Sequence, residues 1–321
     1  MSLDYFVVGP RVALQTRPHG DPGPAPRLDL SVLLPPNREI GWLRTRLFSD
    51  HVLVDLQWHE DGSRRYDVEA VRLAARVLAR LTAVELRVAT VAATEARRRA
   101  LEADGFVHAG DGRWHLMPGR LATPGSRAAT MDELYADPFR VVWNFEARPW
   151  DTLVPLLAHA ARCDRFRVLD IGCGFGKNAR LLERLGMDAH GIDVSPRAIA
   201  GGAPWLRHPE RFAAASLDAL PHDDASFDAV LDVGCLHCLP GELREPGVAE
   251  VARVMKPGGW LFSRVLLPRD QAWLRAQAYV VDALGLEPPA LVGLLEPYFE
   301  VAWTTDPQAV QVRARRRGAG A

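Results

Sequence analysis

Hydrophobic and polar positions alternate along the first third of the chain. "YFVVGPRVALQTR" (5–17) and "RLDLSVLLPP" (27–36) read as strands, separated by the Pro/Gly-rich loop "PHGDPGPAP" (18–26). "EIGWLRTRLF" and "HVLVDLQWH" continue that pattern. The period then lengthens. In "VEAVRLAARVLARL" (68–81), Val71, Ala74, Val77, Leu78 and Leu81 recur at helical spacing, which predicts an amphipathic helix with one apolar face. A strand "VELRVATV", a helix "ATEARRRALEADGF" and a strand "RWHLM" follow. The stretch 117–134 is rich in Gly, Pro, Ser and Thr, and residues 118–130 are read as a linker.

From Arg165 the grammar changes to regular alternation of strand and helix. "RFRVLDIG" is an unbroken apolar run, as expected of a strand buried on both faces of a parallel sheet. "KNARLLERLG" is a helix closed by Gly186, and "DAHGIDVS" is a strand ending at Asp193. Ser195-Pro196 combines a capping residue with a first-turn proline. "RFAAASLDALP", "SFDAVLDVG" and "EVARVMKPGGWLFSRVLL" carry the pattern on, and "YFEVAWTT" with "AVQVRARR" forms a closing hairpin. The predicted architecture is α/β, with a doubly wound sheet over residues 131–321 behind an α+β domain over residues 1–117. Ligands of such sheets bind at strand carboxyl ends. Asp170 to Gly176, Asp193, Asp218 and Asp232 to His237 all fall at such ends.

Composition narrows the classes. The 321 residues are 48% hydrophobic and 25% charged with a formal net charge of −1, ordinary for a globular protein and without the basic excess of a polyanion binder. The tail "RARRR" (313–317) is read as a solvated strand end, not a nucleic-acid patch. No apolar run is long enough for a membrane span, and "MSLDYFVVGP" lacks the features of a signal peptide. Four cysteines (Cys163, Cys173, Cys235, Cys238) are too few for a disulfide scaffold, so a reduced, cytoplasmic protein is expected.

The glycine order in "VLDIGCGFGKNA" (168–179) decides between nucleotides. It is G-x-G-x-G, not the G-x-G-x-x-G that seats a dinucleotide pyrophosphate, and Asp170 would repel a pyrophosphate while suiting a ligand with an ammonium group. Lys177 lacks P-loop spacing. Cys235 and Cys238 bracket His237 in a CxxC, but no second pair completes a four-ligand zinc site, so no metal is expected.

Residues 167–180, 190–196, 216–222, 226–240 and 250–262 together resemble class I S-adenosylmethionine-dependent methyltransferases of the small-molecule kind. The resemblance implies S-adenosylmethionine as cofactor. It implies that the backbone of Gly172, Cys173 and Gly174 approaches the methionyl part and ribose, and that Asp170 anchors the ammonium directly or through water. Asp193 would accept the ribose hydroxyls, Val194 would lie against adenine, Asp218 would accept the adenine amino group, and the Ala219 backbone would meet a ring nitrogen. Residues 232–240, with Asp232 and Cys235, would line the methyl-transfer face. The implied reaction is methyl transfer to O or N of a small molecule, with neither nucleic acid nor membrane as partner. His237 is the candidate general base, its ordinary pKa being near neutrality; packing against the cofactor is the alternative. Trp143 and Phe145 are candidate substrate contacts, with core packing as the other reading, and Trp273 and Tyr279 are further pocket candidates.

The order of elements over residues 5–117 resembles the GNAT superfamily of N-acetyltransferases. That family cradles a pyrophosphate on a loop of small residues. Here the loop is Ser63-Arg64-Arg65-Tyr66-Asp67, with an arginine where glycine is wanted and a carboxylate near the phosphate position. The front domain is therefore expected to be non-catalytic, serving packing, homodimer formation or substrate recognition. Two alternatives stand beside this: a bifunctional enzyme with an active acyl-CoA-dependent front domain, and a non-catalytic S-adenosylmethionine-binding protein.

Overall fold

A computed structural model describes residues 4–17, 28–47, 51–59, 65–81, 85–88, 94–109, 113–117, 130–146, 148–163, 165–269 and 285–318. Trp273 and Tyr279, most of the expected linker, and Ser63 and Arg64 lie outside them. Two compact units are present, one comprising 1–125 and 137–148, the other 126–136 and 149–321.

The first unit is an eight-stranded sheet in the order β1 (Phe6–Val8), β2 (Ala13–Thr16), β3 (Leu30–Leu34), β4 (Arg38–Leu47), β5 (His51–Trp58), β6 (Glu85–Val88), β8 (Trp114–Leu116), β7 (Val107–His108). Among the described residues only the β5–β6 step is parallel, and the helix α1 (Asp67–Leu81) makes that crossover. Val71, Ala74, Val77 and Leu78 of α1 are buried with Leu14, Leu43 and Val54 of the sheet. Leu81 departs from the expected face: it ends the helix 39% exposed. α2 (Glu95–Ala103) adds Leu101 to the same core. Its C-terminal Asp104 receives both Arg72 and Arg76, whose guanidinium groups lie over the Phe139 ring at 4.1 and 4.8 Å. Those two arginines hold the Asp104 carboxyl below its ordinary pKa against the opposing effect of burial.

The second unit is a seven-stranded sheet in the order β11 (Phe212–Ala214), β10 (Asp188–Asp193), β9 (Arg167–Ile171), β12 (Phe227–Val233), β13 (Met255–Leu266), β15 (Ala309–Arg316), β14 (Phe299–Thr305). The first five strands are parallel, and β13, β15 and β14 pair antiparallel. Val168, Leu169 and Ile171 have no exposed surface, because helices cover both faces of the sheet. These helices include α4 (Trp150–Ala160), α5 (Lys177–Arg184), α6 (Pro196–Gly202), α7 (Gly241–Val254) and α8 (Pro288–Leu295). The expected Ser195 cap is present: its hydroxyl accepts from the Ala198 amide at 3.1 Å with Pro196 in the first turn. The Pro257-Gly258-Gly259 stretch is the irregular start of β13, where the register with β12 shifts.

The chain enters this sheet at its centre, runs outward through β10 and β11, and crosses back to β12. The reversal opens a crevice between the carboxyl ends of β9 and β12. The segment 137–148, expected to belong to the C-terminal domain, belongs to the first unit. Asn144 gives the reason: its side chain completes the free edge of β1, accepting from the Val8 amide at 3.1 Å and donating to the Val8 carbonyl at 2.8 Å. Arg148 pairs with Asp4 at 2.5 Å. Among the described residues no helix is long and apolar enough to cross a membrane.

Candidate functional site

The loop after β9 is shaped by backbone hydrogen bonds. The Cys173 amide donates to the Ile192 carbonyl at 2.9 Å, and the Gly174 amide donates to Asp193 Oδ2 at 2.9 Å. Asp193 Oδ1 accepts from the Ser195 amide at 2.9 Å, so one carboxylate ties the glycine loop to the start of α6. Gly172 and Gly174 have φ of +63° and +56°, and each is closely faced. A Cβ on Gly172 would lie 2.8 Å from Cys235 Cβ; one on Gly174 would lie 2.8 Å from the Tyr135 hydroxyl. A side chain at either position would meet both strain and collision.

Three carboxylates are buried at this end of the sheet: Asp170, Asp193 and Asp232. Their hydrogen bonding separates them. Asp232 Oδ1 accepts from the amides of Cys235 and Leu236 at 2.8 and 3.3 Å, and Oδ2 accepts from the Ser263 hydroxyl at 2.5 Å. It staples the loop after β12 and has little left to offer a ligand, although burial raises its pKa to about 6. Asp170 differs: its Oδ2 is buried without a hydrogen-bond partner. Burial, with Asp232 and Asp193 nearby, pushes this carboxyl up to about 8 despite a hydrogen bond from the Ala179 amide. Asp193 is raised by burial and partly relieved by its two amide partners.

The crevice brings Asp170, Gly172, Cys173, Gly174, Asp193, Asp232 and Cys235 together. Val194 follows Asp193 with 59% of its surface exposed, an uncommon state for valine. Asp218 is half-buried and accepts from the Ser216 hydroxyl. The Ala219 amide already donates to the Ser216 carbonyl at 3.2 Å, which removes the donor expected to meet a ring nitrogen.

His237 sits on a short 3₁₀ turn and is 4% exposed. Its Nδ1 accepts from the Leu266 amide at 3.1 Å, which leaves Nε2 to carry the proton in the neutral ring. Burial, and then the charges of Arg264 and Arg244, lower its pKa to about 3. A ring so placed favours the packing reading over the general base. Burial also pushes the thiols of Cys173 and Cys235 well above their ordinary value and that of Cys238 to about 12, so none is a ready thiolate. Among the described residues no cluster of His, Cys, Asp and Glu is arranged to hold a metal ion.

Two candidate substrate contacts, for which core packing was the other reading, belong to the first unit. Phe145 is 2% exposed and belongs to the core of the first unit, where it packs with the α1 and sheet residues. Trp143 lies on the same short turn, within the first unit. The helix that does face the glycine loop is α3 (Met131–Tyr135), which the sequence reading placed at the linker boundary. Its signal was present: Thr130-x-x-Glu133 is a capping box pattern, and the Thr130 hydroxyl accepts from the Glu133 amide at 3.1 Å.

Residues 169–263 match the family model described as a methyltransferase domain, a family whose cofactor is S-adenosylmethionine. The match spans 95 of the 321 residues, all within the C-terminal half. A ubiquinone biosynthesis O-methyltransferase of Paracidovorax citrulli is 31% identical over 161 residues, covering 46% of this chain and 65% of the relative. A phthiotriol/phenolphthiotriol dimycocerosates methyltransferase of Mycobacterium tuberculosis is 37% identical over 112 residues, covering 33% of this chain and 41% of the relative. This chain therefore spans less than two thirds of the length of either. A Burkholderia thailandensis 1,6-didemethyltoxoflavin N1-methyltransferase, solved with that compound and S-adenosylhomocysteine, superposes with a TM-score of 0.42 at 21% identity, covering 56% of this chain and 82% of that one.

Proposed function

We propose that this chain is an S-adenosylmethionine-dependent methyltransferase acting on a small-molecule acceptor at O or N. One observation carries the proposal: Asp170 is a buried carboxylate with an unpartnered oxygen, beside a glycine loop, in a matched methyltransferase domain. A buried charge without a partner is costly and is relieved by a cation. The ammonium of the cofactor's amino-acid end is such a cation. Asp193 keeps lone pairs on both oxygens after its two amide bonds, enough for ribose hydroxyls, and the exposed Val194 offers an apolar face for adenine.

When bound, S-adenosylmethionine supplies an electrophilic methyl group on a sulfonium that is its own leaving group. The protein's task is then alignment of the acceptor, which can supply much of the rate. Neutral His237, its Nδ1 held by the Leu266 amide, takes no proton in this scheme. Among the described residues the reading favours acceptors that present a lone pair without help from this histidine, such as amines and acidic phenols. Asp170, Gly172, Cys173, Gly174, Asp193, Val194 and Asp218 form the proposed cofactor site, with Cys235 in the acceptor wall.

The front domain is proposed to be acetyltransferase-like and non-catalytic. The mixed sheet with a single helix-bridged parallel step supports the likeness. Asp67 argues against acyl-CoA binding: its Oδ1 accepts from the Val68 amide at 2.7 Å and Oδ2 lies 3.5 Å from Arg97, so a carboxylate already fills the N-terminus of α1.

The test is incubation of the full chain with methyl-labelled S-adenosylmethionine and a panel of small amines and phenols. Label on at least one acceptor is expected. Tight S-adenosylhomocysteine binding without transfer to any acceptor would favour a non-catalytic binding protein instead.

A further inference from the structure

The amino-acid end of the proposed cofactor is a zwitterion, and Asp170 answers only its ammonium. The carboxylate needs a donor, in a site that already buries Asp170, Asp193 and Asp232 and would otherwise repel it. α3 brings one. Tyr135 is 6% exposed, its ring edge-on to Phe175 with centroids 5.0 Å apart and planes at 88°. Its hydroxyl lies against the bare face of Gly174, 2.8 Å from where a Cβ would stand.

α3 is fixed there by a clamp one turn earlier. Asp132 Oδ1 accepts from the Ser195 hydroxyl at 2.7 Å and from the Arg197 amide at 3.0 Å, and its Oδ2 pairs with the Arg197 guanidinium at 2.7 Å. Ser195 is the residue whose own amide is held by Asp193. The clamp thus ties α3 to the carboxylate that shapes the glycine loop.

We infer that Tyr135 is a cofactor-binding residue, its hydroxyl donating to the carboxylate of the cofactor's amino-acid end, and that Asp132 is the positioning residue that holds it over Gly174. This rests on the function proposed above.

The experiment is calorimetric titration of the full chain with two ligands. S-adenosylhomocysteine has the amino-acid end; 5′-methylthioadenosine is the same thioether nucleoside without it. Tyr135→Phe removes the hydroxyl and keeps the ring. It is expected to weaken S-adenosylhomocysteine about tenfold or more, the factor for losing one hydrogen bond to a charged group, and to leave methylthioadenosine within about twofold. Asp132→Ala is expected to show the same selectivity. Equal weakening of both ligands by Tyr135→Phe would mean a structural role and overturn the inference, as would unchanged S-adenosylhomocysteine affinity. Wild-type protein that binds neither ligand would instead overturn the underlying function.

Discussion

Asp170→Asn should stabilise the ligand-free protein at neutral pH while weakening its ligand. Burial raises the Asp170 carboxyl from 3.8 to about 8 in the folded chain. Its folded pKa is above its unfolded one, so the native state holds a proton that the unfolded chain has released. The stability it contributes is full below about pH 4 and is lost as pH rises toward 8. At pH 7 the gap is about three pH units, or on the order of 4 kcal/mol at 1.36 kcal/mol per unit. Asparagine keeps the shape and the acceptor for the Ala179 amide but buries a new donor pair, at a cost of about 1–3 kcal/mol. The net gain at pH 7 is therefore about 1–3 kcal/mol, falling to nothing near pH 5 and reversing below. The assay is urea unfolding of both proteins from pH 4.5 to 8, following the transition that S-adenosylhomocysteine shifts. A stability difference independent of pH would refute the reasoning.

Three further outcomes follow from the same geometry. At pH 7 a carboxyl with a pKa of about 8 is about nine-tenths protonated, so binding an ammonium should release about 0.9 proton per site. Binding enthalpies in two buffers of different ionisation heat read this directly, and Asp170→Asn should release none. His237→Asn, which can keep an acceptor for the Leu266 amide, should retain methyl transfer within a few-fold and an unchanged pH–rate profile. A loss of about a hundredfold with an altered profile would restore the general base. Asn144→Ala strips both Val8 backbone groups of their partner and should destabilise the front unit by about 2–4 kcal/mol, seen as a lowered thermal transition that S-adenosylhomocysteine does not move.

What was legible in the sequence was what is local. The strand ending at Ile171, the glycines after it, Asp193 and the Ser195-Pro196 cap lie within about thirty residues, and a parallel α/β sheet brings strand carboxyl ends together by topology alone. Pairings between distant segments were not legible. Asn144 and Val8 are 136 residues apart, and nothing in "VVWNFE" states that its amide will complete a strand edge. Phe145 therefore read equally as a pocket aromatic or as a core residue, and it lies in the front core. Asp232 and Asp170 are both acids at strand ends; only the side-chain partners distinguish a loop staple from an open carboxylate. His237 carried its ordinary pKa in the sequence reading, and burial removed it. Tyr135 was announced by its capping box but masked by the Gly/Pro-rich stretch before it.

The most direct measurement is calorimetric titration of the full chain with S-adenosylhomocysteine and, separately, with acetyl-CoA. The account predicts one S-adenosylhomocysteine bound per chain, lost or strongly weakened in Asp170→Asn, and no heat from acetyl-CoA. Absence of S-adenosylhomocysteine binding would contradict the cofactor site built around Asp170, and acetyl-CoA binding would contradict the reading of Asp67 as the group that closes the front domain.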